Sequence, residues 1–399
     1  MKLVVVAKAF WSDVGEANAA REVTAELVKL GVELITVIHA DSHVKGRREP
    51  IPQKTLSPIN VEHGLLSRPP LNYYCLSARA AKILNLLRKD LGTDCVIHCH
   101  NLVPSAFSTC RCLETSAKFF TTVHGMADDE VRRYSKEIPV HPRELISRLG
   151  FVGLVYLYHF LLKRSKGQII ALSPRNACEI VRLGLQGSRV HVIPNGVDLG
   201  FFKPYDQTES RKRLGLPLDK SIVVTINEIQ PRKGLHTLIK AARKITESVP
   251  DAHFVIVGKT SSNGLWYMAY LQKLLRKLDL CNHFKFTGFV PKGELPLYLN
   301  AANLFTLPSF AEGAPLVIPA AMACGRLTIA TESAEAGYLP RNLVVENGNY
   351  DELGERIAYY LSDSKQCRLI GNELRQRALN EFSWTRIAKR TLDLYNKQL

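Results

Sequence analysis

The sequence is short of acidic residues and of long apolar runs. Its 37 acidic side chains stand against 53 basic ones, which leaves a formal net charge of +16. That excess predicts an anionic partner, and nucleic acid, a membrane surface and phosphorylated ligands all remain candidates. A basic stripe interleaved with aromatic residues is missing, which argues against nucleic acid. The chain of 399 residues, 46% of them hydrophobic, suits a globular protein of two domains.

The cysteines lack the spacing of a disulfide framework or of a zinc site. There are nine of them, an odd number, and the residues from Met1 do not form a cleavable signal segment. We therefore expect reduced thiols in a cytoplasmic protein. Cys95, His98, Cys99 and His100 could suggest a metal ion, but they lie in an apolar run typical of a buried strand. We predict core cysteines and no metal site.

Short apolar runs alternate with segments of helical periodicity along both halves of the chain. This order predicts an α/β protein with two doubly wound, Rossmann-like parallel sheets that face each other across a cleft. Residues 1–193 would form the first domain and residues 194–382 the second. The predicted strands are 2–9, 32–39, 94–99, 119–123, 168–172, 190–193, 222–226, 253–257, 284–287, 304–307, 327–330 and 343–345.

The stretch 304–331, LFTLPSFAEGAPLVIPAAMACGRLTIAT, carries the clearest pattern. It predicts a buried strand, a tight loop and a close-packed helix that begins at Pro315 or Leu316 and ends at Gly325, with a local kink at Pro319. The free peptide N–H groups of residues 313–316 would attract phosphate or developing negative charge. Glu312 would add a carboxylate at the rim.

This stretch resembles the signature loop of retaining, nucleotide-sugar-dependent glycosyltransferases of the family 4 type, and is similar to that of glycogen synthase and phosphatidylinositol mannosyltransferase. Their loop usually reads E-G-x-G-x-P-x-x-E-A-M-A-C-G, and Glu312, Gly313 and residues 322–325 fall on it. Pro315 stands at the family's second glycine, and Ala320 at its second glutamate. In the family the first glutamate lies near the transferred sugar, and the second usually holds the ribose hydroxyls.

The resemblance implies a donor site in the second domain. The family's G-R-x-x-x-x-K-G segment corresponds to residues 227–234, where Lys233 fits and Glu228 replaces the arginine. Arg232 could neutralise Glu228 or reach the phosphate by another path. Without an Asp-x-Asp pair, side chains and backbone must supply the positive charge. The implied donor-binding set is Gly15, Asn195, Glu228, Arg232, Lys233, Gly288, Phe289, Glu312, Gly313, Ala314, Pro315, Leu316 and Ala320.

The first domain carries the expected acceptor side. Gly15 lies in the loop after the first strand, where a phosphate cradle and a simple turn residue remain equal alternatives. His124 follows a strand and matches a family histidine that faces acceptor and sugar, although a structural histidine fits equally well. The run Pro194 to Asp198 resembles the family's interdomain P-N-G-V-D. Residues 383–399 resemble its terminal helix, which crosses back to the first domain.

The implied activity is that of a retaining hexosyltransferase with Glu312, His124 and Lys233 as catalytic residues and no cofactor. It would move a sugar from a nucleotide-sugar to a glycan or lipid-linked acceptor. The alternative is a catalytically impaired glycosyltransferase-like binding or regulatory protein, because Glu228 and Ala320 depart from the pattern. A phosphorylase or sugar-phosphate synthase of the same fold is a further alternative.

Residues 131–166 differ from their surroundings in charge and hydropathy. They hold eight basic and two acidic side chains around the apolar run 149–162, which is 14 residues long and too short to span a bilayer. Such a segment predicts peripheral contact with an anionic membrane, at the inner face of the cell membrane. A core helix with solvated ends and a self-association face remain alternatives.

Overall fold

Two parallel sheets of six strands each organise the computed structural model of the protein, which describes residues 1–7, 15–38, 94–100, 117–124, 160, 167–261 and 264–398. The described residues form two compact units. The first takes those up to Gly196 and those from Trp384 onward, and the second takes Val197–Ser383. The strands are β1 Lys2–Ala7, β2 Glu33–Ile38, β3 Cys95–His100, β4 Lys118–Val123, β5 Gln168–Ala171, β6 Val190–Val192, β7 Ser221–Ile226, β8 Ala252–Val257, β9 Phe284–Phe286, β10 Leu304–Leu307, β11 Leu327–Thr331 and β12 Val344–Val345.

Ten α-helices connect and cover these strands in the described part of the chain. They are α1 Gly15–Lys29, α2 Pro174–Arg182, α3 Gln207–Leu214, α4 Leu235–Ser248, α5 Leu265–Lys277, α6 Leu295–Ala301, α7 Val317–Ala323, α8 Tyr350–Ser362, α9 Ser364–Glu381 and α10 Trp384–Asn396.

The first sheet has the order β2-β1-β3-β4-β5-β6. Its strands are nearly continuous apolar runs because both faces of a parallel sheet are covered, and residues 3–7 of β1 have no exposed surface. Helix α10 belongs to this unit and packs on α1, where the Thr385 hydroxyl donates to the Glu26 carboxylate at 2.6 Å. The side chain of Tyr395 in α10 is fully buried and packs this helix against the sheet.

The second sheet has the order β12-β11-β10-β7-β8-β9. Because all six strands are parallel, the loops that follow β7, β8, β9, β10 and β11 emerge at one edge. Strands β7 and β10 are direct neighbours, with Leu304 beside Val223. The loops after these two strands, residues 227–234 and 308–316, are therefore close in space although they are far apart in sequence.

The structure confirms the predicted α/β class with two parallel sheets, and the strand bounds of the second half agree within one residue. The helix of the signature stretch differs, because it begins at Val317 with Leu316 as N-cap. Pro319 therefore lies in the first turn, where a backbone N–H would have no intrahelical acceptor. The proline removes no helical hydrogen bond there, so the reason for predicting a kink no longer holds. Among the described residues, no helix combines the length and apolarity that crossing a membrane requires.

Candidate functional site

The loops after β7 and β10 interlock through backbone contacts. Gly234 has φ +66°, and a Cβ there would lie 1.9 Å from the carbonyl oxygen of Pro308. The Phe310 N–H donates to the Arg232 carbonyl at 2.8 Å. Only glycine permits this approach in a left-handed conformation, so Lys233-Gly234 places the lysine against the second loop.

A carboxylate and two cations meet where the loops join. The Lys233 ammonium donates to Glu312 Oε1 at 2.6 Å, and Arg232 Nη1 lies 3.5 Å from Glu312 Oε2. The Ser309 hydroxyl also donates to Oε1, at 2.8 Å. The Lys233 and Glu312 side chains are only 12% and 9% exposed, whereas Arg232 is 27% exposed. We call these four residues the Lys233 cluster.

Two opposing influences set the pKa of Glu312. Burial raises it, but the charges of Lys233 and Arg232 and the hydrogen bonds from Lys233 and Ser309 outweigh burial and lower it. Glu312 is therefore an anion at neutral pH. Two cationic side chains thus lie beside one carboxylate, and lysine and arginine are the side chains that bind phosphate in proteins.

Three buried aromatic rings pack together next to the loop that carries Glu312. The ring of His236 stacks on Phe310 at a centroid distance of 5.4 Å and an interplanar angle of 1°. Tyr267 hydrogen-bonds His236 Nδ1 at 2.8 Å and accepts the His236 backbone N–H at 3.1 Å. These three rings are buried, and Phe310 thereby anchors the loop that carries Glu312 in the core.

The backbone that follows Glu312 is half-buried. Gly313, Ala314, Pro315 and Leu316 precede the seven-residue helix α7, and three of them carry an N–H group. Ala320 is 3% exposed and belongs to the hydrophobic core of the second unit. It offers a methyl group to the core where the family has a ribose-binding carboxylate.

The hydrogen bond of Glu228 goes to a residue outside the Lys233 cluster. Its Oε2 accepts from Gln230 Nε2 at 3.2 Å, and within the described part of the chain it forms no ion pair. Of the alternatives for Arg232, the described residues do not show an ion pair with Glu228, since Arg232 lies beside Glu312. Of the two glutamates that follow β11, Glu332 pairs with Arg341 at 2.8 Å and Glu335 accepts the Gly337 N–H.

Gly288 and Phe289 follow β9 at the same edge of the sheet. Gly288 has φ +72°, and its carbonyl accepts the Gly258 N–H at 3.1 Å, which joins the loops after β8 and β9. Phe289 is 73% exposed. An aromatic ring held open at this edge can stack on a planar ligand.

His124 lies in the first unit, at the carboxyl end of β4. Its Nε2 lies 3.0 Å from Nδ1 of His100, which ends the neighbouring strand β3. Burial lowers the pKa of His124 to about 3, so the ring is neutral at physiological pH. Gly15 is the first residue of α1. Asn195 follows β6 in the sequence and is buried.

The sequence-based prediction missed three residues, of which Ser309 contacts a candidate side chain directly and the other two are linked to His124 through His100. Ser309 lies three positions before Glu312, and His98 lies two positions before His100, a spacing that puts both histidines on one face of a strand. Tyr395 bonds to His98 across 297 positions, and no local pattern could have indicated it. Among the described residues, no group of three or more His, Cys, Asp or Glu residues could hold a metal ion.

Comparison with known proteins places both halves of the chain in glycosyltransferase families. Residues 206–377 match Glycosyl transferases group 1, and residues 15–201 match Glycosyltransferase Family 4. The chain is 29% identical over 244 residues to D-inositol 3-phosphate glycosyltransferase 2 of Catenulispora acidiphila, covering 58% of this chain and 56% of that one. It is 26% identical over 335 residues to the D-inositol 3-phosphate glycosyltransferase of Kribbella flavida, covering 80% and 75%. The chain thus spans about half the length of the first of these relatives.

Solved structures give the same fold over the whole chain. Sucrose-phosphate synthase from Thermosynechococcus elongatus matches with a TM-score of 0.78 at 21% identity, covering 100% of this chain and 99% of that one. Anabaena Alr3699/HepE, solved in complex with UDP-glucose, matches with a TM-score of 0.76 at 18% identity, covering 100% of each chain. At such identities the likeness shows the fold alone. With both family matches and this fold, the chain belongs to the glycosyltransferases of the family 4 type, which have the GT-B fold.

Proposed function

We propose that the protein is a retaining glycosyltransferase that moves a sugar from a nucleotide-sugar to a glycan or lipid-linked acceptor. The observation that carries the proposal is the Lys233 cluster, in which two cations face one carboxylate at the carboxyl edge of the second sheet. Anionic ligands gather at this edge of open parallel sheets. Family membership and the neighbour solved with UDP-glucose support a nucleotide-sugar as the donor.

In this proposal Lys233 and Arg232 hold the diphosphate of the donor. The N–H groups of Gly313, Ala314 and Leu316 add hydrogen bonds to its oxygens. Positive charge from these groups stabilises the leaving phosphate oxygen as the glycosidic bond breaks, so no metal ion or other cofactor is required. The family's arginine is absent, and Arg232 compensates for Glu228 by meeting the phosphate rather than by pairing with Glu228.

Glu312 orients hydroxyl groups of the transferred sugar. As an anion it accepts hydrogen bonds only, which suits sugar O–H donors. Gly288 and Phe289 receive the base, the backbone by hydrogen bonds and the exposed ring by stacking. Retention follows if the acceptor hydroxyl attacks from the face that the phosphate leaves, where the diphosphate oxygen takes its proton.

His124 contributes on the acceptor side. Gly15 and Asn195, which the resemblance assigns to donor binding, lie in the same unit as His124. Relatives named D-inositol 3-phosphate glycosyltransferase support including a polyol phosphate in any acceptor panel, and the net charge of +16 favours an acceptor that bears phosphate.

Peripheral membrane contact through residues 131–166 is also part of the proposal. Apart from Phe160, which is 51% exposed, this segment lies outside the described residues, and its basic flanks and apolar run support the proposal. We expect replacement of four basic residues by alanine to weaken sedimentation with anionic liposomes; equal sedimentation of variant and parent would reject this contact. The four residues are Arg132, Arg133, Arg164 and Lys166.

Product analysis tests the transferase proposal. The protein is incubated with a panel of nucleotide-sugars and with lipid extracts, glycans and polyol phosphates, and products are identified by mass spectrometry. We expect transfer from one donor with release of the nucleoside diphosphate, and loss of transfer in Lys233→Ala. Lys244→Ala is the matched control, because Lys244 also pairs with a glutamate in this unit but at the surface.

A catalytically impaired binding protein is the second candidate, and Ala320 favours it because the core methyl group cannot hold ribose. The charge-assisted hydrogen bond that a carboxylate at this position would make to the ribose is worth about 1.5–3 kcal/mol. Isothermal titration with a panel of nucleotides and nucleotide-sugars separates the two candidates, and no binding of any of them would favour the second.

A further inference from the structure

Three histidines and a tyrosine form one connected buried set in the first unit. The Tyr395 hydroxyl lies 2.6 Å from His98 Nδ1, and His98 Nε2 lies 2.7 Å from the Thr122 hydroxyl. The rings of His98 and His100 stack at a centroid distance of 4.4 Å. His100 Nδ1 lies 3.0 Å from His124 Nε2. We call His98, His100, His124 and Tyr395 the histidine network.

The position of each proton in this network follows from the need to satisfy buried donors. The Tyr395 phenol has no exposed surface, and in the described part of the chain His98 Nδ1 is its hydrogen-bond partner. The phenol must therefore donate its proton to Nδ1, since otherwise the O–H would be buried without an acceptor. His98 then carries its own proton on Nε2 and donates it to Thr122.

The same reasoning applies to His100. Its Nε2 is buried and has no hydrogen-bond partner among the described residues. A buried N–H without an acceptor is rarer in proteins than a buried acceptor without a donor, so the proton belongs on Nδ1. There it points at His124 Nε2 and is donated to it. His124 Nε2 is then an acceptor, and the proton of a neutral His124 must lie on Nδ1.

We propose that His100 is a positioning residue that fixes His124 in its Nδ1–H tautomer, and that Tyr395 and His98 hold the His100 ring in place. Burial supports neutral rings throughout, because it lowers the pKa of all three histidines. A free imidazole favours the Nε2–H tautomer. The network therefore holds His124 in the less favoured Nδ1–H tautomer.

The consequence for catalysis rests on the proposed function. With Nε2 engaged by His100 and Nδ1 protonated, a neutral His124 has no lone pair to accept a proton. It acts toward an acceptor or sugar oxygen as a hydrogen-bond donor and not as a general base. The network thus selects between two roles that the same side chain could take.

Side-chain NMR of the full chain tests the tautomer. The protein has 12 histidines, and long-range ¹H–¹⁵N correlation on ¹⁵N-histidine protein distinguishes a protonated from a bare ring nitrogen. The signal of His124 is assigned by its loss in His124→Asn. We expect Nδ1–H for His124 in the parent and Nε2–H in His100→Phe, which keeps a stacked ring but removes the donor. His100→Asn keeps an N–H near the Nδ1 position and should retain Nδ1–H on His124.

A matched pair of tyrosine variants separates this network from general packing. Tyr395→Phe should change the ¹⁵N shifts of His98, because its proton donor is lost. Tyr267→Phe should leave the shifts of His98 and His124 unchanged, although Tyr267 is an equally buried tyrosine that bonds a histidine Nδ1 in the other unit. A shift of His98 in Tyr267→Phe as large as in Tyr395→Phe would overturn the assignment of the network.

The parent spectrum alone can reject the proposal. If His124 carries its proton on Nε2 in the parent, the proposal is overturned, whether or not His100→Phe folds. If His100→Phe folds and His124 still carries its proton on Nδ1, the proposal is overturned as well. Failure of the proposed function is a separate result. Absent nucleotide binding by the second unit would reject the transferase and leave the tautomer reading in place.

Discussion

Replacing Lys233 by alanine removes the closest positive charge from a carboxylate that is only 9% exposed. Breaking a buried ion pair by deleting one partner costs about 3–5 kcal/mol when the remaining charge is uncompensated. Here Arg232 at 3.5 Å and the Ser309 hydroxyl at 2.8 Å remain on Glu312. We therefore expect Lys233→Ala to lower the free energy of unfolding of the second unit by about 2–3 kcal/mol at neutral pH.

The pH dependence of this loss identifies its cause. In the parent, the pKa of Glu312 lies below its ordinary value of 4.5, so the ion pair is present above that range. Burial is the largest single influence on this pKa and raises it; without Lys233, only Arg232 and Ser309 oppose burial, so we expect the variant to take up a proton at higher pH than the parent does. Its deficit relative to the parent should narrow as the pH falls from 8 toward 5.

Denaturant unfolding at several pH values measures both effects. The matched control is Lys244→Ala, because Lys244 and Glu355 form an ion pair whose side chains are 42% and 65% exposed. Surface pairs contribute little, so this variant should unfold like the parent at every pH. The reasoning about the Lys233 cluster is refuted if Lys233→Ala is no less stable than Lys244→Ala, or if its deficit does not change with pH.

Two further predictions test the histidine network and the joined loops. Burial lowers the pKa of His98 and His124 to about 3, so below about pH 6.5 the unfolded chain binds protons that the folded chain does not, and stability falls with pH. From pH 7 to pH 5 each should contribute a loss of about 2 kcal/mol in denaturant unfolding, and equal stability at the two pH values would contradict this. Gly234→Ala puts a methyl group against the Pro308 carbonyl and should lower the melting temperature clearly more than Gly215→Ala. Gly215 has a similar φ of +57° with nothing within 4 Å, so comparable shifts in the two variants would show that the loops are not in contact.

Local pattern was enough to predict most of the fold. Parallel strands are buried on both faces, so runs such as residues 304–307 stand out as apolar segments of the right length. The start of α7 was less predictable, since Pro315, Leu316 and Val317 all suit a first turn. Helix ends depend on hydrogen bonds that the sequence does not reveal.

The candidate site was predictable as a set of residues but not as a set of contacts. The family pattern indicated Lys233 and Glu312, yet their ion pair joins positions 79 apart and depends on β7 lying beside β10. The choice of Arg232 between Glu228 and Glu312 likewise depends on three-dimensional placement. Tyr395 and His98 are further apart still, and their bond requires α10 to return to the first sheet.

The central claim is that the Lys233 cluster binds the diphosphate of a nucleotide, and calorimetric titration of matched nucleoside diphosphates and monophosphates tests it most directly. For the preferred base, we expect the parent to bind the diphosphate about 10- to 100-fold more tightly than the monophosphate, since the added phosphate gains charge-assisted hydrogen bonds. That preference should disappear in Lys233→Ala and persist in Lys244→Ala. A parent that binds both nucleotides equally, or a Lys233→Ala variant that keeps the preference, would contradict the account.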